Sequence, residues 1–176
     1  MAYIGFKQNT QYLYAKPGRW NDPDMLVVGK VGWGPSLRNS RLTINEQYTH
    51  ISLWSLLASP LLIGCDMSQL DDFTLNLLKN SEVIDVNQDP LGKQAQQILV
   101  NDNYQVWVKE LEDGSKVVGI FNISGKEQNI TLNWSDIKIS GSKTVRDVWR
   151  QKDLGSFDGK FQTLVASHGV TMVRVF

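Results

Sequence analysis

Pro17-Gly18-Arg19-Trp20-Asn21-Asp22-Pro23-Asp24-Met25-Leu26-Val27-Val28-Gly29 is the stretch best equipped for chemistry. It gathers two carboxylates, an amide, an indole and a thioether, then runs into apolar residues. Pro17-Gly18 breaks whatever precedes it, and Pro23 disfavours helical backbone at Asp22. Asp22-Pro23-Asp24 therefore reads as extended, where residues two apart share a face. The two carboxylates would then lie side by side next to the Trp20 ring, a common way of presenting polar groups to a sugar. The same residues also fit a turn whose aspartates cap nearby backbone amides. Met25 fits equally as core filler. Trp20, and Trp33 in the loop that follows, suit packing as well as sugar stacking.

The flanking elements must hold this stretch in place. Ala2 to Tyr14 reads as a short helix or turn, and Met25 to Val28 as a buried strand. Lys30 to Arg41, with Gly32, Gly34 and Pro35, reads as a loop long enough to be functional. Thr43 and Glu46 make a capping box. Ile44, Tyr48, Ile51, Trp54 and Leu57 follow at helical spacing, with Trp54 in the core, and Pro60 ends the helix. Leu61-Leu62-Ile63 reads as a strand buried on both faces, running into Gly64-Cys65-Asp66-Met67. A second helix is expected from Asp71 to Asn80, with acids in its first turn. Strand, helix, strand, helix is the alternation of a parallel sheet or barrel. Near Asn87-Gln88-Asp89-Pro90-Leu91-Gly92 the pattern changes. From Gln97 onward short strands alternate with turns, including Glu112-Asp113-Gly114 between Tyr104–Val108 and Lys116–Asn122, which predicts an antiparallel sandwich. The expected organisation is α/β followed by all-β, with residues 1–95 as one unit and 96–176 as the other.

The 176 residues are 41% apolar, enough for a packed core. Eighteen basic and eighteen acidic residues cancel, so there is no electrostatic footprint for nucleic acid or an anionic membrane. With Cys65 alone no intrachain disulfide forms; it reads as a small buried hydrophobe rather than a nucleophile. His50, on the first helix, and His168, in a turn, make no metal-ligand spacing, so neither metal nor cofactor is expected. Met1 to Gly5 has no basic n-region and no long apolar run. Any secretion signal is expected to lie outside this sequence. Asn122-Ile-Ser124, Asn129-Ile-Thr131 and Asn133-Trp-Ser135 are glycosylation triplets that read as unmodified.

Three blocks together resemble the glycoside hydrolase family 27 α-galactosidases. They are Gly18-x-Trp20-Asn21-Asp22-Pro23-Asp24-Met25-Leu26-Val27-x-Gly29, then Ala58-Ser59-Pro60-Leu61-Leu62 with Cys65-Asp66, then Val86-Asn87-Gln88-Asp89-Pro90-Leu91-Gly92-Lys93-Gln94. The resemblance implies the last βα units of a (β/α)8 barrel, which is incomplete here because a whole barrel takes about 250 residues, followed by a C-terminal antiparallel β-sandwich. It implies retaining hydrolysis of terminal α-galactosides by two aspartates. The nucleophile belongs to a Lys-x-Asp motif and the acid/base follows an arginine. Neither matches here, since Met1 to Lys16 contain no Asp or Glu. By resemblance Asp24 and Met25 line the galactose pocket, Trp20, Asn21 and Asp22 shape the same strand end, and Asp66 is a further candidate. Asp22 and Asp24 do not suit the catalytic pair: retaining carboxyls sit about 5–5.5 Å apart across the scissile bond, and neighbours on one strand approach from one side.

Three readings follow. The chain is the C-terminal part of an α-galactosidase-like hydrolase, inactive alone. Or it is a non-catalytic carbohydrate-binding or interaction module, with Trp107, Trp134 and Trp149 as a sugar platform; the bland alternative puts these rings in the sandwich core. Or several chains complete a barrel together, because an open parallel edge drives self-association.

Overall fold

The computed structural model describes residues 1–32 and 34–176. The expectation for Trp33 falls outside them. The chain begins with helix α1 (Ala2–Phe6) and a 3-10 segment, Lys7–Tyr14. In the loop that follows the chemistry-bearing stretch, β1 (Lys30–Val31) and β2 (Arg38–Asn39) form a small antiparallel hairpin. Three helices follow: α2 (Ile44–Leu56), α3 (Asp72–Leu78) and α4 (Ser81–Asn87).

Helix α2 starts as the sequence predicts. The Thr43 hydroxyl accepts from the Glu46 amide, and the Glu46 carboxylate accepts from the Thr43 amide, closing a capping box. Its end comes earlier than Pro60. Ala58 takes a left-handed φ of 52°, the Ser59 amide bonds the Trp54 carbonyl and the Ala58 amide the Ser55 carbonyl. This is a Schellman closure with alanine where glycine is usual. The expected Asp71–Asn80 helix is shorter because the Asn80 side chain accepts from the Val83 amide and so starts α4, a helix the sequence reading lacked.

The two expected barrel strands meet in one parallel bridge, Leu26 with Ile63, through bonds from the Leu26 amide to the Leu62 carbonyl and from the Gly64 amide to the Leu26 carbonyl. Leu26 and Val28 are buried whereas Val27 is exposed. Leu62 and Ile63, expected to be buried on both faces, are 47% and 42% exposed. The reason is physical: in a barrel the second face is covered by neighbouring strands, and among the described residues nothing covers it.

The second part is antiparallel throughout. Strands β3 (Gln96–Val100), β4 (Tyr104–Glu110), β5 (Lys116–Asn122), β7 (Ser142–Asp147), β8 (Lys152–Asp158) and β10 (Val170–Val175) form one sheet in the order β3-β4-β5-β10-β7-β8. Strands β6 (Gln128–Asn133) and β9 (Lys160–Val165) pair separately. The centre of the six-stranded sheet, most completely β5, is covered on both faces, whereas the edge strand β8 is largely exposed. Val106, Val118, Ile120, Val173 and Val175 pack with Ile130, Leu132 and Phe161 inside the sandwich. The alternate residues Trp107, Val117, Phe121 and Met172 pack with Ile51, Leu53, Trp54 and Leu56 of α2. An ideal Cβ on Gly119 would sit 2.4 Å from Leu56 Cδ1, so only glycine lets α2 approach β5 this closely. The incomplete barrel and the β-sandwich therefore share a core across α2.

Trp107 and Trp134 are fully buried, and Trp149 is half-buried with its indole N–H donating to Ser52 Oγ at 2.7 Å. Trp107 and Trp134 are thus core rings and not an exposed platform. Trp54 is also core.

Candidate functional site

Asp24 sits at the bend between Pro23 and the Leu26 bridge. Its φ is 83°, a left-handed conformation that L-residues other than glycine seldom adopt. The backbone is therefore not extended at Asp24, and the side-by-side arrangement with Asp22 does not form. Instead Asp22 Oδ1 accepts from the Asp24 amide at 2.9 Å, and Asp24 Oδ1 accepts from the Met25 amide at 2.7 Å. Both aspartates cap neighbouring backbone and both remain exposed to solvent. Asp24 Oδ2 takes no protein donor among the described residues. A carboxylate oxygen of an exposed residue with no protein donor can accept from hydroxyl groups.

What holds this bend is a stripe on α2. Gln47, His50 and Trp54 lie at i, i+3 and i+7, one face of the helix. The Gln47 side-chain oxygen accepts from the Gly29 amide at 3.1 Å. His50 Nε2 accepts from the Val27 amide at 3.0 Å, and the Trp54 indole donates to the Asp24 carbonyl at 2.7 Å. Parallel strands of a complete sheet find such partners in their neighbours; here helix side chains supply them. His50 is buried, and that burial first, with the Met1 ammonium second, pushes its pKa down to about 4. It is therefore neutral at pH 7 and able to accept through Nε2. A second stripe on α2 faces the sandwich. The Asn45 amide donates to the Ser167 carbonyl, Thr49 Oγ1 to the His168 carbonyl, and Ser52 Oγ accepts the Trp149 indole. Sequence reading missed both stripes. The available signal was polar residues recurring at helical spacing within α2, the longest helix among the described residues.

The other predicted residues distribute as follows. Met25 lies against the second barrel strand: a Cβ added to Gly64 would be 3.1 Å from the Met25 Cβ. Asp66 caps the 3-10 turn Met67–Gln69, accepting from the Ser68 amide and hydroxyl and from the Gln69 side chain. Those bonds, Ser68 foremost, hold its pKa below the usual carboxylate range. Trp20 lies against residues 87–94, the junction segment between the helical part and the sandwich. Its ring fills the space over Gly92, whose φ is 58° and whose Cβ would come within 2.6 Å of it. It also lines a groove with Pro17, Ser59, Asn87 and Pro90. Asn21 donates to the Gln11 carbonyl and to Gln94, tying the stretch to the same junction. The junction bonds in both directions: Asn87 donates to the Ser59 carbonyl, and Asp89 accepts from the Glu112 amide.

Cys65 is half-buried, and burial raises its thiol pKa. No group of three or more His, Cys, Asp and Glu among the described residues is arranged to hold a metal. No described helix is long and apolar enough to cross a membrane. Asn122 is buried and donates to the carbonyls of Lys126, Val165 and Ala166, which occupies the first of the three glycosylation triplets.

Comparison with known proteins bears on both parts. The family profile described as "Alpha galactosidase A" matches residues 1–89, and that described as "Alpha galactosidase C-terminal beta sandwich domain" matches residues 101–175. An alpha-galactosidase of Cyamopsis tetragonoloba is 38% identical over 174 residues, 98% of this chain and 40% of the relative. The crystal structure of alpha-galactosidase I from Mortierella vinacea superposes with a TM-score of 0.90 at 32% identity, over 98% of this chain and 43% of that one. That of a GH27 β-L-arabinopyranosidase from Geobacillus stearothermophilus superposes with a TM-score of 0.87 at 30% identity, over 97% and 39%. The chain spans 38–42% of the length of alpha-galactosidases from Cyamopsis tetragonoloba, Oryza sativa and Arabidopsis thaliana. Two consecutive profiles, matched in order over the barrel units and the sandwich, place the chain in the α-galactosidase family, glycoside hydrolase family 27, as a C-terminal portion of its fold.

Proposed function

We propose that this chain is the C-terminal part of a retaining glycoside hydrolase that cleaves terminal α-D-galactosyl residues, with residues 1–95 and 96–176 as its two units. In this reading the chain supplies one wall of the sugar pocket. Asp24 accepts sugar hydroxyls through its free Oδ2, Met25 provides apolar contact, and Trp20, Asp22 and Asp66 shape the surroundings. The nucleophile and the acid/base lie outside these 176 residues, so the chain alone does not catalyse. The observation that carries the proposal is Asp24 itself: a residue held in a disfavoured backbone conformation with its carboxylate open to solvent, inside a block of family-like sequence. Conformations of this kind persist where the surroundings over-determine them and cluster at binding sites.

Geometry also argues against Asp22 and Asp24 as an acid and nucleophile pair. Retaining chemistry needs two carboxyls flanking one bond, whereas Asp22 spends an oxygen on the Asp24 amide and Asp24 one on the Met25 amide. The sugar is proposed as galactose. The arabinopyranosidase relative concerns a pentose with the same ring-hydroxyl pattern and no hydroxymethyl group, so a wall of this kind suits either sugar.

An aryl α-galactoside assay on the purified chain tests the reading, with Asp24→Ala as control. No turnover is expected, while added galactose shifts the Met25 methyl resonance and does so less in Asp24→Ala. Turnover that vanishes in Asp24→Ala would place the chemistry within this chain and overturn the proposal. A Met25 methyl indifferent to galactose would remove the pocket role.

A further inference from the structure

We propose that Trp54 and Asp22 are positioning residues: together they lock Asp24 in its left-handed conformation and so fix where its carboxylate points. The importance of that direction rests on the sugar role proposed for Asp24; the lock itself does not. Both peptide groups of Asp24 are held. Its amide donates to Asp22 Oδ1 at 2.9 Å, and its carbonyl accepts the Trp54 indole at 2.7 Å. With φ and the outgoing carbonyl fixed, the side chain closes on the Met25 amide through Oδ1 at 2.7 Å, which leaves Oδ2 outward.

The donor is rigid. Trp54 is 1% exposed, and its ring meets His50 edge-to-face at a centroid distance of 4.1 Å. A Cβ on Gly5 would come within 2.6 Å of the indole, so α1 closes over it. His50 is fixed in turn by the Val27 amide, three residues past Asp24. A buried indole needs an acceptor for its N–H, and many carbonyls would serve. This one belongs to a non-glycine residue with a positive φ that carries an exposed carboxylate. Asp22 completes the clamp from outside the core. Its carboxylate already accepts a peptide amide, so Asp22 serves the pocket by aiming Asp24.

The test uses the 176-residue chain and two readouts. The intraresidue HN–Hα NOE, strong at positive φ, and the Cα shift of Asp24 report its backbone; galactose titration followed at the Met25 methyl reports the sugar. Trp54→Phe keeps an aromatic ring and removes the N–H. Asp22→Ala changes only an exposed side chain. Each is expected to move Asp24 to the values of a negative φ and to weaken galactose by about tenfold, the worth of one well-placed hydrogen bond. Asp22→Asn retains an acceptor oxygen and should restore both readouts. If Trp54→Phe does not fold, Asp22→Ala and the unmodified chain still decide: the Trp54 indole proton should be strongly protected from solvent exchange. A freely exchanging indole proton, or an Asp24 that stays left-handed in the variants, overturns the lock. An Asp24 signature that collapses in a chain indifferent to galactose leaves the lock standing and removes the sugar role.

Discussion

His50 accepts the Val27 amide only while its imidazole is neutral, and burial keeps it so by lowering its pKa to about 4. Between the ordinary histidine value near 6.5 and that lower one, the unfolded chain binds a proton that the folded chain does not. Stability is therefore full above about pH 6.5 and falls as the pH drops toward 4, by about 3 kcal/mol for this group. His50→Gln should flatten that part of a melting-temperature profile. Lys109 carries the opposite problem. Its Nζ is buried with no hydrogen-bond partner among the described residues. Burial pushes its pKa down to about 8 although Asp89 pulls it up. From about pH 8 to 10.5 the unfolded chain holds the extra proton, so stability should rise with pH across that window by about 3 kcal/mol. Lys109→Met should stabilise the chain at pH 7 and abolish the rise, as read from denaturant midpoints. A midpoint unchanged by the substitution would mean the amine is already compensated.

Helix α2 is the element on which both parts depend. It presents one polar stripe to the barrel strand, another to the sandwich, and apolar side chains between them. Its start rests on the capping box, so Thr43→Ala should cost about 1 kcal/mol of stability. Its seat on the sheet depends on Gly119. A methyl there meets Leu56 Cδ1 at 2.4 Å and Phe121 Cε2 at 2.7 Å, so Gly119→Ala should destabilise by about 1–3 kcal/mol through overpacking. Chemical denaturation measures both. Because barrel and sandwich share the α2 core, a single transition should be lowered in each case, with neither part melting separately.

At the scale of the whole molecule, an apolar strip that a barrel would cover lies open at Val27, Leu62 and Ile63. The Leu61–Ile63 segment has only the one parallel bridge, to Leu26, so its other edge lies open among the described residues. Sedimentation velocity on the 176-residue chain should show association that grows with concentration. Leu62→Lys with Ile63→Lys should reduce it. A monodisperse monomer at all concentrations would mean that the strip does not drive contact.

Much of this was legible in the chain. The capping box of α2, the βα alternation, the hairpin turn at Asp113-Gly114 and the family blocks are local patterns. Spacing and turn chemistry act within a few residues, so the sequence determines them directly. Asp24 was legible as a candidate for the same reason. Its conformation was not: the extended reading failed because φ at Asp24 is set by the Trp54 indole, thirty residues away, and by Asp22 turning back on the backbone. Helix α4 was hidden by its shortness, and the polar stripes by sharing α2 with the apolar spacing that reveals it. The burial of Trp107 and Trp134 and the exposure of Leu62 and Ile63 depend on which element covers which face. That is decided by long-range packing, which no spacing along the chain encodes.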